Sequence, residues 1–220
     1  MKLTLYYHPF SSFCQKVLIA LYENGTPFEG RVIDLRDPAS RAELEAVWPL
    51  AKFPVLRDEE AGVTVPESGL IIEYLAERHP GAVALVPSDP DAALQARIWD
   101  RFFDNYVDVP MQTAMLPLIF PDRPADAGVE GARAALARAY KVLDAQLAGG
   151  GWAAGEDFTI ADCAAAPALF YSNLVVPFGE HANLAAYFGR LMARPSFRRA
   201  VDDARPFRPA IRIDWPPEYG

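Results

Sequence analysis

Cysteine is scarce in this chain: Cys14 and Cys163 are the only two in 220 residues, and they lie far apart. Two distant thiols make neither a metal-ligand spacing nor a disulfide framework, and such usage suits a reducing compartment. Long hydrophobic runs are also missing. None approaches the roughly 20 apolar residues that span a bilayer. The opening stretch, Met1 to Pro9, reads as a strand entering a turn rather than as a signal peptide with an extended apolar segment. A cytoplasmic protein is expected. Positive charge is in deficit, with a net charge of −8, of which −4 falls in residues 1–80 and −4 in residues 81–220. With no basic patch or tail, neither nucleic acid nor an anionic membrane is an expected partner. An anionic small substrate would need donors placed locally, because the overall field does not attract it. Internal repeats and low-complexity segments are absent too.

What is present is ordinary globular material, 51% hydrophobic and 23% charged, enough for one large core or two small ones. Residues 1–80 alternate short β-like and helix-like runs. Leu3–Tyr7 reads as a strand. In the helix predicted over Ser12 to Asn24, Cys14, Val17, Leu18 and Leu21 share one face and Gly25 ends the run. A strand near Phe28–Leu35, a helix near Pro38–Val47 and a strand from Pro54 follow. Asp58 to Gly62 turns into Val63-Thr64-Val65 as a hairpin, and a helix over Ser68–Arg78 closes the region. The order βαβαββα combines a parallel crossover with an antiparallel hairpin, so a mixed sheet with packed helices is expected.

Residues 81–90 form a proline-rich linker, and 91–220 read as all-helical. One long helix is expected over Asp91–Leu118, bent by Pro110. Further helices are expected over Ala125–Leu147, Thr159–Tyr171, Asn183–Met192 and Ser196–Asp203.

Three stretches carry possible chemistry. Tyr6 to Val17 leads from a strand end into a helix N-terminus, where ligands gather and free amides favour an anion. A serine there can donate to a bound thiolate and lower its pKa. Spacing alone favours the plainer reading, Ser11 or Ser12 as a helix cap. In Lys52-Phe53-Pro54-Val55, the proline marks the start of a strand, and base rates for X-Pro bonds argue for trans. Glu67-Ser68 opens another helix, where Ser68 could be an N-cap and the amides again favour a carboxylate.

Taken together, in this order and spacing, the strand–helix opening, Phe53-Pro54 and Glu67-Ser68 resemble the thioredoxin-like domain of the cytosolic glutathione transferases. Tyr6-Tyr7-His8-Pro9-Phe10-Ser11-Ser12-Phe13-Cys14 is similar to the delta and theta classes, and Ser11-Ser12 followed by Val17–Leu21 also suits the zeta class. The whole also resembles the bacterial-type members of the superfamily. The resemblance implies glutathione as co-substrate and no metal. It implies Ser11 as the residue that stabilises the thiolate, and Phe53 as a backbone partner of the cysteinyl amide. Pro54 would be a cis-proline, Glu67 and Ser68 would hold the γ-glutamyl end, and Lys52 would face the glycyl carboxylate. It also implies a homodimer built across the domain boundary, and a role in detoxification.

Phe158-Thr159-Ile160-Ala161-Asp162 resembles the same family's capping box and is structural in meaning. There are departures. Gly69 stands where the delta class often has arginine, and Trp48-Pro49 replaces a commoner Asn-Pro. Tyr7 aligns with the tyrosine of the alpha, mu and pi classes and is the runner-up thiol activator; its plainer reading is a strand-end tyrosine with a wet hydroxyl. Cys14 sits like the second cysteine of a C-x-x-C motif whose first is absent, and its apolar face suggests a buried, inert thiol. For a small apolar electrophile, the helical half offers Phe103, Tyr106, Met111 and Met115, with Trp99 and Phe102 nearby. Aromatics and methionines at that spacing are more often core. The expected activity is conjugation of glutathione. A glutathione-dependent isomerase of the zeta type, or a silent binding module, are the alternatives.

Overall fold

The computed structural model describes residues 2–119 and 128–210. The first part runs β1 (Leu3–Tyr7), α1 (Ser12–Glu23), β2 (Glu29–Val32), α2 (Pro38–Val47), β3 (Val55–Asp58), β4 (Val63–Pro66) and α3 (Ser68–Arg78). The strands make one sheet in the order β2-β1-β3-β4. β1 pairs parallel with β2 and antiparallel with β3, and β3 pairs antiparallel with β4. This is the mixed sheet the element order predicts. One face packs α1 and α3 through Leu3, Leu5, Val17, Leu18 and Ile71. The other packs α2 through a small cluster of Ile33, Leu44 and Val55.

The predicted apolar face of α1 is buried, and so are Ile19 and Ala20. A helix buried nearly all round must be covered on every side. The sheet covers one side of α1. The other is covered by two later helices, α7 (Ile160–Val175) and α9 (Pro195–Ala204). The stretch that joins the two parts is pinned down. Leu85 is buried and its carbonyl accepts from Ile160 N at 2.8 Å, while Asn24 exchanges two hydrogen bonds with Val83.

The expected single helix over Asp91–Leu118 is three pieces. α4 (Pro90–Phe102) runs into a π-helical turn, Phe103–Asp108, and then α5 (Val109–Ile119). Pro110 lacks an N–H and its ring crowds the carbonyl four residues back. The chain answers by widening before the proline instead of bending at it: Val109 N bonds to Asp104 O, five residues back. α6 (Gly128–Gln146) and α8 (Ala182–Ala193) complete the helical half. The start of the helix expected from Ala125, and the expected C-terminal stretch of the helical half from Ile211, lie outside the described residues. Thr159 and Asp162 form the reciprocal capping box at the head of α7.

Candidate active site

The sheet register brings the motifs together. Tyr6 pairs with Val55 and Val55 with Pro66. The end of β1, the start of β3 and the end of β4 therefore lie at one end of the sheet. Ser11, Phe53-Pro54 and Glu67-Ser68 each follow or precede those positions by only a few residues, so all three motifs converge there. The Phe53-Pro54 bond is cis, against the trans form that base rates favour. An X-Pro bond prefers trans by only about 0.5–1 kcal/mol, which tertiary packing readily overrides.

A cleft of about 450 Å³ opens beside this end of the sheet. One wall holds Ser11, Lys52 and Phe53, and the facing wall holds Met111, Met115 and Ile119 of α5. Ser11 is the N-cap of α1: its backbone is extended and its Oγ accepts from Cys14 N at 3.4 Å. The capping reading is thus observed, and it leaves the hydroxyl proton available to a second partner, because a hydroxyl accepts and donates at once. Ser12 is committed elsewhere. It is buried and donates to Asp108 Oδ1 at 2.9 Å, an oxygen that also accepts from Gln112 Nε2 at 3.3 Å. Burial pushes the Asp108 carboxyl up to about 7, against the pull of those two donors.

Tyr7 does not line the cleft. Its ring lies across β2 over Gly30, where an added Cβ would come within 3.0 Å of the ring and 3.2 Å of the hydroxyl oxygen. Burial and the nearby Asp203 raise its pKa. Cys14 is buried, as expected, and desolvation pushes its thiol up to about 12.

At the head of α3, Glu67 is the N-cap and Ser68 the first helical residue, so Ser68 is not the cap that the sequence allowed. Glu67 takes φ 70, the left-handed region that non-glycine residues seldom enter, and its side chain makes no capping bond. The Ser68 side chain is buried, and its hydroxyl has no hydrogen-bond partner among the described residues.

Two of the expected electrophile residues are not at the cleft. Phe103 is sealed in the core, and Tyr106 is 61% exposed beside a separate recess lined by Phe102, Pro110 and Val142. Phe103 packs with Val107 in the buried core, and Tyr106 stands on the opposite, exposed side of the same turn. Met111 and Met115, beyond the turn, do reach the cleft.

Sequence reasoning passed over several groups. Tyr171 of α7 and Phe10 also line the cleft, their rings 5.4 Å apart. His8 braces its rim: Nδ1 accepts from Phe10 N at 3.2 Å, and the ring lies beside Phe53 and Phe207. Behind it runs a buried polar seam. Lys16 of α1 meets Asp100 Oδ1 at 2.6 Å and Asp104 Oδ2 at 2.8 Å, all three nearly sealed from solvent. The signal was there in Asp100, Asp104 and Asp108, carboxylates at every fourth position facing Ser12 and Lys16, themselves four apart.

Comparison with known proteins fits this arrangement. Residues 5–82 match the family model "Glutathione S-transferase, N-terminal domain", and residues 106–195 match "Glutathione S-transferase, C-terminal domain". Glutathione S-transferase GstB of Escherichia coli is 26% identical, with 90% of this chain and 97% of that protein covered. A probable maleylacetoacetate isomerase of Caenorhabditis elegans is 29% identical, covering 78% and 79%. Among solved structures, a delta-class glutathione transferase of Nilaparvata lugens superposes with TM-score 0.83 at 25% identity, covering 94% and 97%. A glutathione S-transferase of Methylobacillus flagellatus, solved with GSH bound, superposes with TM-score 0.76 at 26% identity, covering 90% and 98%.

Proposed function

The chain belongs to the glutathione S-transferase family, and from that premise we propose that it transfers glutathione to a small apolar electrophile, with Ser11 stabilising the thiolate. The observation that carries the reading is the convergence of Ser11, Phe53-Pro54 and Glu67-Ser68 at one sheet end, across a cleft from Met111 and Met115.

Glutathione is a tripeptide with two carboxylates, an ammonium and a thiol, and the local donors suit it. Lys52 at the rim faces the glycyl carboxylate, and the Phe53 backbone pairs with the cysteinyl amide. Beyond the cis-proline Pro54, the uncapped amides of α3 and the Ser68 hydroxyl take the γ-glutamyl carboxylate, and Glu67 takes the ammonium. The Ser11 hydroxyl, already accepting from Cys14 N, donates to the sulfur. A hydrogen bond to the charged form lowers the thiol pKa, so more of the bound cofactor is thiolate. The sulfur lone pair then attacks the electrophilic carbon, forming a C–S bond while the leaving group departs or the electron pair moves onto the acceptor. The methionine wall supplies proximity and excludes water.

Retention on glutathione resin together with consumption of glutathione by an activated haloarene would support this reading. Retention without turnover would favour a silent binding module. Turnover that leaves glutathione unconsumed would favour the isomerase, for which the 29% identical relative is the specific argument. We place the glutathione-binding part at 1–80, the linker at 81–90 and the electrophile-binding part at 91–220. A cytoplasmic homodimer active in detoxification completes the proposal, with exposed Leu70 of α3 and Leu94 and Ile98 of α4 as the apolar contact face.

A further inference from the structure

Gly69, the second residue of α3, has no side chain, and its place is taken by another. A Cβ there would lie 3.0 Å from Nη2 and 3.2 Å from Nη1 of Arg101, which reaches across from α4. Arg101 is held from behind. Its Nη1 donates to Asp104 Oδ2 at 3.3 Å and lies 3.7 Å from Asp100 Oδ2. Both carboxylates also contact the Lys16 ammonium. The Arg101 side chain is 49% exposed while that of Asp100 behind it is 1% exposed. Beside it lie the uncapped α3 amides and Ser68, whose residue is 5% exposed and whose hydroxyl has no partner among the described residues.

A guanidinium, a hydroxyl and uncapped helix amides close together make a donor set for a carboxylate, which arginine can take in bidentate fashion. We propose that Arg101, seated in the space left by Gly69, binds the free α-carboxylate of the γ-glutamyl residue of glutathione. This rests on the glutathione reading above and assigns that contact to α4.

The test is steady-state kinetics and calorimetry on the full chain with glutathione, and with 4-aminobutyryl-Cys-Gly, which lacks only that carboxylate. Arg101→Ala should raise the glutathione KM about tenfold or more, the scale of one charge-assisted hydrogen bond, with kcat within about twofold. Arg101→Lys should recover part of the loss. Against the truncated tripeptide, wild type and Arg101→Ala should be equally weak. Gly69→Ala, which pushes the guanidinium aside without removing it, should shift KM in the same direction and serves if Arg101→Ala does not fold. An unchanged KM, or an equal loss against both tripeptides, overturns the assignment. A wild-type chain that binds neither tripeptide overturns the glutathione reading itself.

Discussion

The hydroxyl of Ser12 donates to Asp108 Oδ1 at 2.9 Å, joining the first turn of α1 to the far end of the π turn. Ser11, one residue earlier, lines the cleft. Two adjacent serines that spacing could not tell apart thus have different tasks. One bridges the two halves, and the other is open to a ligand.

Ser11→Ala should slow conjugation by about 10²-fold, the loss that follows removal of one oriented donor. It should also raise the pKa of bound glutathione, read from the thiolate absorbance as pH is varied. Tyr7→Phe should leave the rate nearly unchanged, since its hydroxyl lies over Gly30. Full activity in Ser11→Ala with loss in Tyr7→Phe would reverse the assignment.

Asp108 should make stability depend on pH in a particular direction. Its carboxyl titrates near 3.8 when unfolded and near 7 when folded. Between those values the unfolded chain holds fewer protons than the native one, so this group's contribution falls as pH rises and is fully unfavourable above about 7. Asp108→Asn mimics the protonated form. It should be more stable than wild type at pH 8, by up to a few kcal/mol at about 1.4 kcal/mol per unit. Denaturant titrations at pH 5 and pH 8 check this, and a gap that does not grow with pH would refute it.

Both cysteines should be silent in the native protein. Cys14 and Cys163 are fully buried, and desolvation raises both thiols. An aromatic disulfide reagent should titrate neither thiol in buffer and both in concentrated guanidinium. Rapid reaction of Cys14 in the native state would reopen cysteine-type chemistry.

Asp162 should matter more to stability than the Thr159 it pairs with. Its carboxylate accepts from Thr159 N at 2.8 Å, Ala153 N at 2.9 Å and the Tyr187 hydroxyl at 2.6 Å. Asp162→Ala leaves buried donors unpaired and should cost at least about 3 kcal/mol. Thr159→Ala removes a cap worth about 1 kcal/mol. Equal effects in urea melts would show that the box, not the buried carboxylate, dominates.

Much of the fold was legible because local signals and tertiary demand agree. Alternation in Leu3–Tyr7, the Asp58–Gly62 turn and the capping box each specify a boundary that packing then respects. The π turn was not legible. Spacing showed that Pro110 must disturb the helix, but not that the chain would widen ahead of it, nor which of Phe103, Tyr106, Met111 and Met115 would reach the cleft. In the site, Ser11, Phe53-Pro54 and Glu67-Ser68 could be read from motif order, because strand register alone brings them together. Arg101, His8 and Tyr171 could not. They arrive from remote elements, and no local pattern announces which helix will lie across the gap at Gly69.

Lys16 has a wider consequence. Among the described residues, the counter-ions of this lysine of the sheet-bearing half are Asp100 and Asp104 of the helical half, and α1 around it is covered by α7 and α9. Detaching either half would strip apolar surface from α1 and undo the ion cluster together. The chain is bipartite in topology but should unfold as a single unit: scanning calorimetry is expected to show one transition with equal calorimetric and van't Hoff enthalpies, and a separate melting of either half would refute this.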